Sequence, residues 1–303
     1  MDIPHSSGHH DSPLFLIAVP SWNRAALIMP LYESLTAQDE QNWRLLLWSD
    51  GSTDSTAEQV LALQQQDPRV LFYNSANNSG CNQSRNGLLE WGRQVAPQGW
   101  MLFMDDDDLL LPGALATMAA TIRAEPDIRW LAMTCSSNDV NKPSTVQRSG
   151  RLSYLRDYMF GKTIRGDMTH CIRLDVVGSA RFTDEFKNGE EWFFFCQLAL
   201  AQPVLVINQA GCLKNYQQNG LSATGINRKR KKQVLDLKLR ALTPMVGARQ
   251  MRHQMVSLAA LELDEGQPAV AREWLAQVWR VSPFYMRQYR HWLRCLLMSI
   301  RAS

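Results

Sequence analysis

Four consecutive aspartates, Asp105 to Asp108, stand between two apolar stretches, residues 100–104 and 109–111. Adjacent carboxylates repel one another, and a folded protein tolerates them at the end of a buried strand when a positive charge lies nearby. Mg²⁺ or Mn²⁺ suits that role, because both ions prefer oxygen ligands and share them with substrate phosphates. The run therefore predicts either a divalent-metal site or a solvated acidic turn before a helix near Pro112.

Three residues elsewhere have side chains suited to binding a nucleotide. Trp22, shortly after Pro20, can stack on a nucleobase or pack at the rim of the sheet. Asp50, in the segment SDGSTD at 49–54, can accept hydrogen bonds from a base or ribose, or form part of an ordinary turn. Arg85 can contact a base or phosphate, or lie exposed on a helix.

Two adjacent carboxylates, Glu190 and Glu191, precede an apolar helix predicted at 193–200. Negative charge stabilises a helix N-terminus, so both can be structural. A carboxylate in a partly closed cleft is equally suited to act as a general base. Only one of the two adjacent side chains is expected to point into such a cleft.

Strands and helices alternate along the first part of the chain. Apolar runs predict strands at 14–19, 43–48, 70–73 and 100–104, and helical patterns predict helices at 24–36, 55–66, 82–93 and 112–124. Ser55 and Glu58 have the spacing of a capping box at the start of the second helix. Residues 134–167 look loop-rich, and later strands are predicted at 168–174 and 204–208.

This order predicts an α/β fold with a mostly parallel, Rossmann-like sheet flanked by helices and followed by an all-helical C-terminal appendage. The predicted domains are a flexible tail at 1–13, a catalytic domain at 14–225 and a helical region at 226–303. Ligands of such sheets bind beyond the carboxyl ends of the strands. The candidate segments at 20–23, 49–54 and 105–108 all fall at such ends, which makes a shared site there the main prediction.

The composition limits the classes of protein to consider. The net charge is only +3, so no global field favours nucleic acid, and the basic run at 228–232 reads as a solvated or membrane-facing segment. Six cysteines without close paired spacing predict neither a zinc site nor a disulfide framework. With no signal-peptide pattern and no apolar run of 18 residues, we expect a cytoplasmic protein that is soluble or peripheral to the inner membrane.

Six segments in order resemble the inverting, nucleotide-sugar-dependent glycosyltransferases of family 2, which have the GT-A fold. They are VPSWNR at 19–24, WSDGSTD at 48–54, SRNG at 84–87, MDDDD at 104–108, FTDEF at 182–186 and GEEW at 189–192. The resemblance covers roughly residues 14–222 and implies a nucleoside diphosphate sugar as donor, with UDP as the preferred candidate. It also implies Mg²⁺ or Mn²⁺ as cofactor, in a motif of the Asp-x-Asp type.

The resemblance implies a role for each candidate residue. Trp22 would stack on the base beside Pro20, and Asp50 and Arg85 would contact the nucleotide, with Asp106 adjoining them. Asp105 would lie near the ribose and the metal, Asp107 would bind the metal directly, and Glu191 would be the catalytic base, with Glu190 as the other candidate.

Three departures from the family pattern affect these roles. Ser49 replaces a frequent acidic residue, and Glu191 is one methylene longer than the usual Asp. In the late segment YQQNGLS at 216–222, Gln217 and Asn219 replace two basic residues. These departures keep open a non-catalytic sugar-nucleotide-binding or scaffold subunit, and the acidic site keeps open a nucleotidyltransferase.

The expected acceptor is a saccharide or a lipid-linked saccharide, in bacterial surface polysaccharide or lipopolysaccharide biosynthesis. The C-terminal residues 284–300 combine apolar side chains at helical spacing with several arginines. Such a basic amphipathic helix either contacts an anionic inner-membrane surface or packs on protein. A helical hairpin is predicted within 259–279, turning at 265–268.

Overall fold

The computed structural model of the protein describes residues 12–139, 144–215 and 227–302. The chain forms two compact units, which divide at residues 220 and 221. That division and the predicted domain boundary near 226 both lie outside the described residues, so the boundary stays a prediction.

The first unit is an α/β structure built around one large sheet. The strands of this unit are β1 (Phe15–Ser21), β2 (Trp43–Ser49), β3 (Val70–Asn74), β4 (Trp100–Phe103), β5 (Leu109–Leu110), β6 (Trp130–Ser137), β7 (Thr145–Val146), β8 (Gly150–Leu152), β9 (Ile164–Arg165), β10 (Met168–Arg173) and β11 (Val204–Lys214). Strands β7 and β9 pair with each other in a separate two-stranded sheet. The α-helices of the unit are α1 (Ala25–Thr36), α2 (Thr56–Gln66), α3 (Cys81–Val95), α4 (Ala114–Ala124) and α5 (Trp192–Leu198). A π-helical turn spans Tyr154–Met159 and a short 3-10 helix spans Leu174–Val176.

The sheet is parallel in its first half and mixed in its second. Its order is β3-β2-β1-β4-β10-β6-β11-β5, and β8 also pairs with β11. Strands β3, β2, β1 and β4 run parallel, whereas β10 lies antiparallel between β4 and β6. All of residues 15–19 in β1 are fully buried, because helices cover both faces of this part of the sheet. The α/β fold with a central sheet and flanking helices is therefore confirmed.

The predicted strands and helices of residues 14–124 are found within about two residues of their expected ends. Their long apolar periodicity makes such elements the easiest to recognise in a sequence. The prediction of a capping box at α2 was wrong, since the Ser55 side chain makes no capping hydrogen bond. Asp54 Oδ1 instead accepts a hydrogen bond from the Thr56 N–H at 3.0 Å, so Asp54 caps this helix.

Two strands of the second half differ from the prediction. Strand β6 extends to Ser137, into the region expected to be loop-rich. Strand β11 continues six residues beyond the expected end at 208, to Lys214. Register shifts lie between Ile207 and Ala210 and between Ala210 and Cys212, so the alternation of apolar and polar residues is broken there. Because of these irregularities, the last residues of β11 cannot be recognised from the periodicity of the sequence.

The second unit is helical. It contains α6 (Arg228–Val246), α7 (Arg252–Asp264), α8 (Pro268–Val281) and α9 (Arg287–Ala302). The predicted hairpin is confirmed, because α7 and α8 are joined through Gly266, which has a φ of 74°, and Pro268 begins α8. Within the basic run, Lys232 pairs with Glu262 of α7 at 2.7 Å, which gives this cation a structural partner. None of the described helices is both long enough and apolar enough to cross a bilayer.

Candidate active site

The aspartate run lies directly after β4, in the parallel half of the sheet. Asp105, Asp107 and Asp108 each offer a carboxylate oxygen, and these three oxygens lie within 4.8 Å of one another. Three hard oxygen donors from one turn fit the ligand preference of Mg²⁺ or Mn²⁺. Asp105 and Asp107 were expected as ligands from the sequence, and Asp108 was missed because four identical residues carry no sign of which ones converge.

The remaining member of the run, Asp106, has different neighbours. Its Oδ2 accepts a hydrogen bond from Ser21 Oγ at 2.7 Å, and its Oδ1 lies 3.7 Å from Arg24 Nε. Burial raises the pKa of Asp106 to about 7, against the hydrogen bond from Ser21. Asp106 therefore connects the acidic turn to the end of β1, through a contact with Ser21 that no sequence motif indicated.

Two basic side chains contact Asp105. The buried Arg85 places Nη2 at 2.7 Å from Asp105 Oδ1, and Lys214 places Nζ at 3.3 Å from Asp105 Oδ2. Burial opposes ionisation of Asp105, but Lys214 and then Arg85 hold the pKa of this carboxyl well below its usual range. Lys214 also donates a hydrogen bond to Asp108 Oδ2. The sequence did not indicate Lys214, because its strand was expected to end at 208.

Arg85 also reaches the second pair of carboxylates. Its Nη1 donates to Glu191 Oε1 at 2.7 Å, so one guanidinium connects Glu191 with Asp105. Glu190 Oε2 instead accepts a hydrogen bond from Trp192 Nε1 at 2.6 Å. Glu190 has a φ of 65°, a left-handed conformation that follows Gly189 at φ 80° and turns the chain sharply here. Of the two glutamates, the structure brings Glu191 to the aspartate run through Arg85.

Helix α3 holds the segment that carries Glu191. Asn82 Nδ2 lies 3.1, 2.9 and 3.0 Å from the carbonyl oxygens of Thr183, Phe186 and Gly189. One turn later, Asn86 exchanges two hydrogen bonds with the backbone of Phe182, at 2.9 and 3.0 Å. Together with Arg85, these asparagines form one face of α3 that fixes residues 182–191. Asn82 is fully buried, and it could not be identified in advance because an asparagine in a helix is usually solvent-exposed.

Asp50 anchors the start of α3. Its Oδ1 accepts hydrogen bonds from the Ser79 N–H at 3.0 Å and Ser79 Oγ at 2.9 Å, and its Oδ2 accepts one from the Gly80 N–H at 2.7 Å. Gly51 has a φ of 68°, and a Cβ there would lie 2.7 Å from the backbone of Asn77 and Asn78. The turn after β2 is thus packed against residues 77–80, which set the position of α3 and hence of Arg85.

Pro20 and Trp22 lie at the end of β1, beside the end of β2. Pro20 is buried and pairs in register with Trp48 of β2, whereas Trp22 is 52% exposed. An exposed indole at a strand end is available for stacking on a planar ligand. Gly87 has a packing role, since a Cβ there would lie 2.4 Å from the Trp48 ring. The structure therefore gathers residues from the ends of β1, β2 and β4 at one edge of the sheet, as the sequence predicted.

The fold of the protein is the GT-A fold. The chain resembles S. aureus TarS in complex with UDP-GlcNAc, with a TM-score of 0.68 over 94% of this chain and 89% of that one, at 17% identity. It also resembles the mannosyltransferase PcManGT of Pyrobaculum calidifontis, solved with GDP-Man and Mn²⁺, with a TM-score of 0.53 over 96% and 87% of the two chains at 14% identity. At these identities the likeness concerns the fold alone.

Residues 16–183 match the family described as Glycosyl transferase family 2, and the chain belongs to that family. It is 31% identical over 202 residues to an uncharacterized glycosyltransferase of Haemophilus influenzae, covering 65% of this chain and 77% of that protein. It is 26% identical to the GalNAc(5)-diNAcBac-PP-undecaprenol beta-1,3-glucosyltransferase of Campylobacter jejuni, over 59% of this chain and 57% of that one. It is 30% identical to the putative colanic acid biosynthesis glycosyl transferase WcaA of Escherichia coli, over 52% and 56%. The last two relatives are thus matched over little more than half of their length.

One predicted part of the site lies outside the described residues. Gln217 and Asn219, which depart from the family pattern, fall within residues 216–226. The effect of these two replacements stays a prediction.

Proposed function

We propose that the protein transfers a sugar from a nucleoside diphosphate sugar to an acceptor hydroxyl, with inversion at the anomeric carbon. The observation that carries this proposal is the link made by Arg85 between Glu191 and Asp105. One guanidinium thus holds Glu191, a carboxylate suited to proton removal, beside the aspartate cluster. That cluster is suited to a metal ion, which would in turn bind the diphosphate. Family membership and the named relatives support the same reaction.

The nucleotide is assigned to the ends of β1, β2 and β4. Trp22 would stack on the base, with Pro20 behind it, and Asp50 would accept hydrogen bonds from the base or ribose while keeping α3 in place. Asp106 would hold the acidic turn against β1 next to the nucleotide. UDP is the preferred donor nucleotide, in keeping with the UDP-GlcNAc complex of TarS.

Asp105, Asp107 and Asp108 would hold Mg²⁺ or Mn²⁺. Such an ion supplies Lewis-acid stabilisation of the charge that develops on a leaving diphosphate. Arg85 contributes fixed positive charge beside Asp105, and its hydrogen bond to Glu191 Oε1 orients the Glu191 carboxylate. The acceptor hydroxyl would pass its proton to Glu191 as its oxygen attacks the sugar.

The base assignment is tested by comparing Glu191→Gln with Glu190→Gln. Loss of general-base help should lower turnover by about 10²–10⁴-fold in Glu191→Gln, with donor affinity retained. Glu190→Gln is the matched control, because its carboxylate bonds Trp192 and not Arg85, and it should keep turnover within about tenfold. Full turnover in Glu191→Gln would place the base elsewhere.

The donor is tested by a thermal-shift panel of UDP, GDP, dTDP and CMP, each with Mn²⁺ or with EDTA. A ligand at about 100 times its Kd stabilises the protein by roughly 2.7 kcal/mol. We expect the largest shift with UDP and Mn²⁺, and its loss in EDTA. A shift with a nucleotide but no turnover over a broad acceptor set would instead favour the scaffold subunit, and pyrophosphate release from a nucleoside triphosphate would favour a nucleotidyltransferase.

We place the enzyme in bacterial surface-polysaccharide biosynthesis, on the cytoplasmic face of the inner membrane, with a saccharide or lipid-linked saccharide as acceptor. Two relatives support this pathway, since they are named as a glucosyltransferase for an undecaprenol-linked glycan and a putative colanic acid biosynthesis enzyme.

Helix α9 supports the membrane location, since one of its faces carries an apolar stripe that is 40–58% exposed: Tyr289, Leu293, Leu296 and Leu297. Arg287, Arg290 and Arg294 lie on the same helix, and no acidic residue occurs in it. Exposed apolar groups beside arginines match an anionic lipid surface.

The membrane contact is tested by flotation with vesicles of phosphatidylglycerol and phosphatidylethanolamine, and with phosphatidylcholine vesicles as the neutral comparison. The protein should float with the anionic vesicles, and Leu293→Glu/Leu296→Glu should abolish this. Leu200→Glu is the matched control, because Leu200 is an equally exposed leucine of the first unit. Equal flotation of the double variant would remove α9 as the lipid-binding element.

A further inference from the structure

Lys214 is the residue of the site that neither the sequence pattern nor the family resemblance indicated. It is the last residue of β11, and its side chain is 18% exposed. Strand β11 pairs with β6 and β5, and β5 begins immediately after the aspartate run. Strand pairing therefore places this ammonium group beside the acidic turn, although the two lie more than a hundred residues apart in the chain.

The Lys214 ammonium contacts two of the three carboxylates that can hold a cation. Its Nζ lies 3.3 Å from Asp105 Oδ2 and donates a hydrogen bond to Asp108 Oδ2. Among the described residues, Asp107 is the member of the three for which no ion pair is found. An ammonium and a divalent ion that use the same carboxylate oxygens compete for them, and like charges a few ångströms apart repel strongly in a buried site.

We propose that Lys214 is the resident counter-cation of the aspartate cluster and sets its affinity for divalent metal. It holds Asp105 and Asp108 together and lowers the affinity of the cluster for a free ion. An incoming diphosphate adds negative charge that can pair with the displaced ammonium, so metal and nucleotide binding become favourable together. This inference rests on the metal role given to the cluster in the proposed function.

The test is a titration of Mn²⁺ into the 303-residue protein without nucleotide, in which electron paramagnetic resonance measures the free ion. Lys214→Met removes the charge and keeps the length of the side chain, so it should bind Mn²⁺ at least about tenfold more tightly. Lys214→Arg keeps a cation and should resemble the unaltered protein. Lys162→Met, at an exposed lysine of the same unit, controls for the change in net charge and should not alter Mn²⁺ affinity.

Unchanged or weaker Mn²⁺ binding in Lys214→Met would overturn the inference while leaving the metal site intact. If neither the unaltered protein nor Lys214→Met binds Mn²⁺, both the inference and the metal role in the proposed function fail. Circular dichroism of each variant checks folding, and Lys214→Gln offers a second neutral side chain for the same titration.

Discussion

The carboxylates at the ends of β2 and β4 are the same chemical group at nearby strand ends, but they have different kinds of partner. Asp50 accepts hydrogen bonds from backbone N–H groups of residues 79 and 80. Asp105 pairs instead with the side chains of Arg85 and Lys214. A carboxylate bound by backbone donors fixes the path of the chain, whereas one bound by charged side chains can exchange partners with a metal or a substrate.

The largest effect on stability is expected at Asp50. Asp50→Ala leaves the Ser79 and Gly80 donors without their acceptor, which should lower the free energy of unfolding by about 3 kcal/mol in urea denaturation. Asp54→Ala is the comparison, because it removes an exposed helix cap and should cost about 1 kcal/mol. Equal losses in the two variants would contradict the scaffolding role of Asp50.

At Asp107, in contrast, we expect a loss of metal binding without a loss of stability. Asp107→Asn should weaken Mn²⁺ binding by about 100-fold, or roughly 2.7 kcal/mol, since it removes an anionic ligand. It should not lower stability, because burial and the nearby Asp105 already raise the pKa of Asp107 and so disfavour its charge. Titration calorimetry with Mn²⁺ and urea denaturation measure the two effects. Asp127→Asn, at an exposed site, is the control, and normal Mn²⁺ binding by Asp107→Asn would exclude it as a ligand.

A smaller loss of stability is expected at Gly87, the residue of the SRNG segment that packs against Trp48. In Gly87→Ala the new Cβ would lie 2.4 Å from the rigid Trp48 ring, so we expect a loss of about 2 kcal/mol in stability with unchanged Mn²⁺ binding. Gly92→Ala in the same helix meets the flexible Met101 Cε, and should be at least about 1 kcal/mol less costly. An equal loss in the free energy of unfolding for both variants in urea denaturation would show that the Trp48 contact does not cause the loss in Gly87→Ala.

The smallest effect concerns a titrating group of the scaffold. His170 is buried and its Nδ1 accepts a hydrogen bond from Trp130 Nε1 at 3.1 Å, and burial lowers the pKa of His170 to about 3. Because the unfolded state binds the proton first, the stability from neutral His170 is complete above pH 6.5 and declines as the pH falls towards 3. Between pH 6.5 and 5.5 the loss of stability amounts to about 1 kcal/mol, because the unfolded imidazole is already half protonated at pH 6.5.

The measurement is urea denaturation at both pH values for the unaltered protein and for His170→Gln, which keeps an acceptor for Trp130. Comparing the two proteins is necessary because Asp106, whose pKa is raised by burial, shifts stability in the opposite direction over this range. Identical pH dependence in both proteins would mean that His170 is not held neutral by burial.

Much of the fold was predictable because it depends on local pattern. The strand and helix alternation of residues 14–124 carries strong periodicity, and the edge where strands end follows from parallel pairing. The limits appear where pattern is broken. The irregular register of β11 concealed its last residues, and Ser55 had the sequence of a capping box although Asp54 makes the contact.

The sequence by itself determined the family, the α/β architecture and the positions of Trp22, Asp50, the aspartate run and the Glu190–Glu191 pair. Only the tertiary structure decided how these groups are partnered. It set Glu191 rather than Glu190 beside Arg85, made Asp50 an anchor of α3, and brought Lys214 to Asp105 and Asp108. The physical reason is that residue type and spacing are properties of the local chain, whereas an ion pair between distant residues depends on how the sheet is ordered and in what register its strands pair.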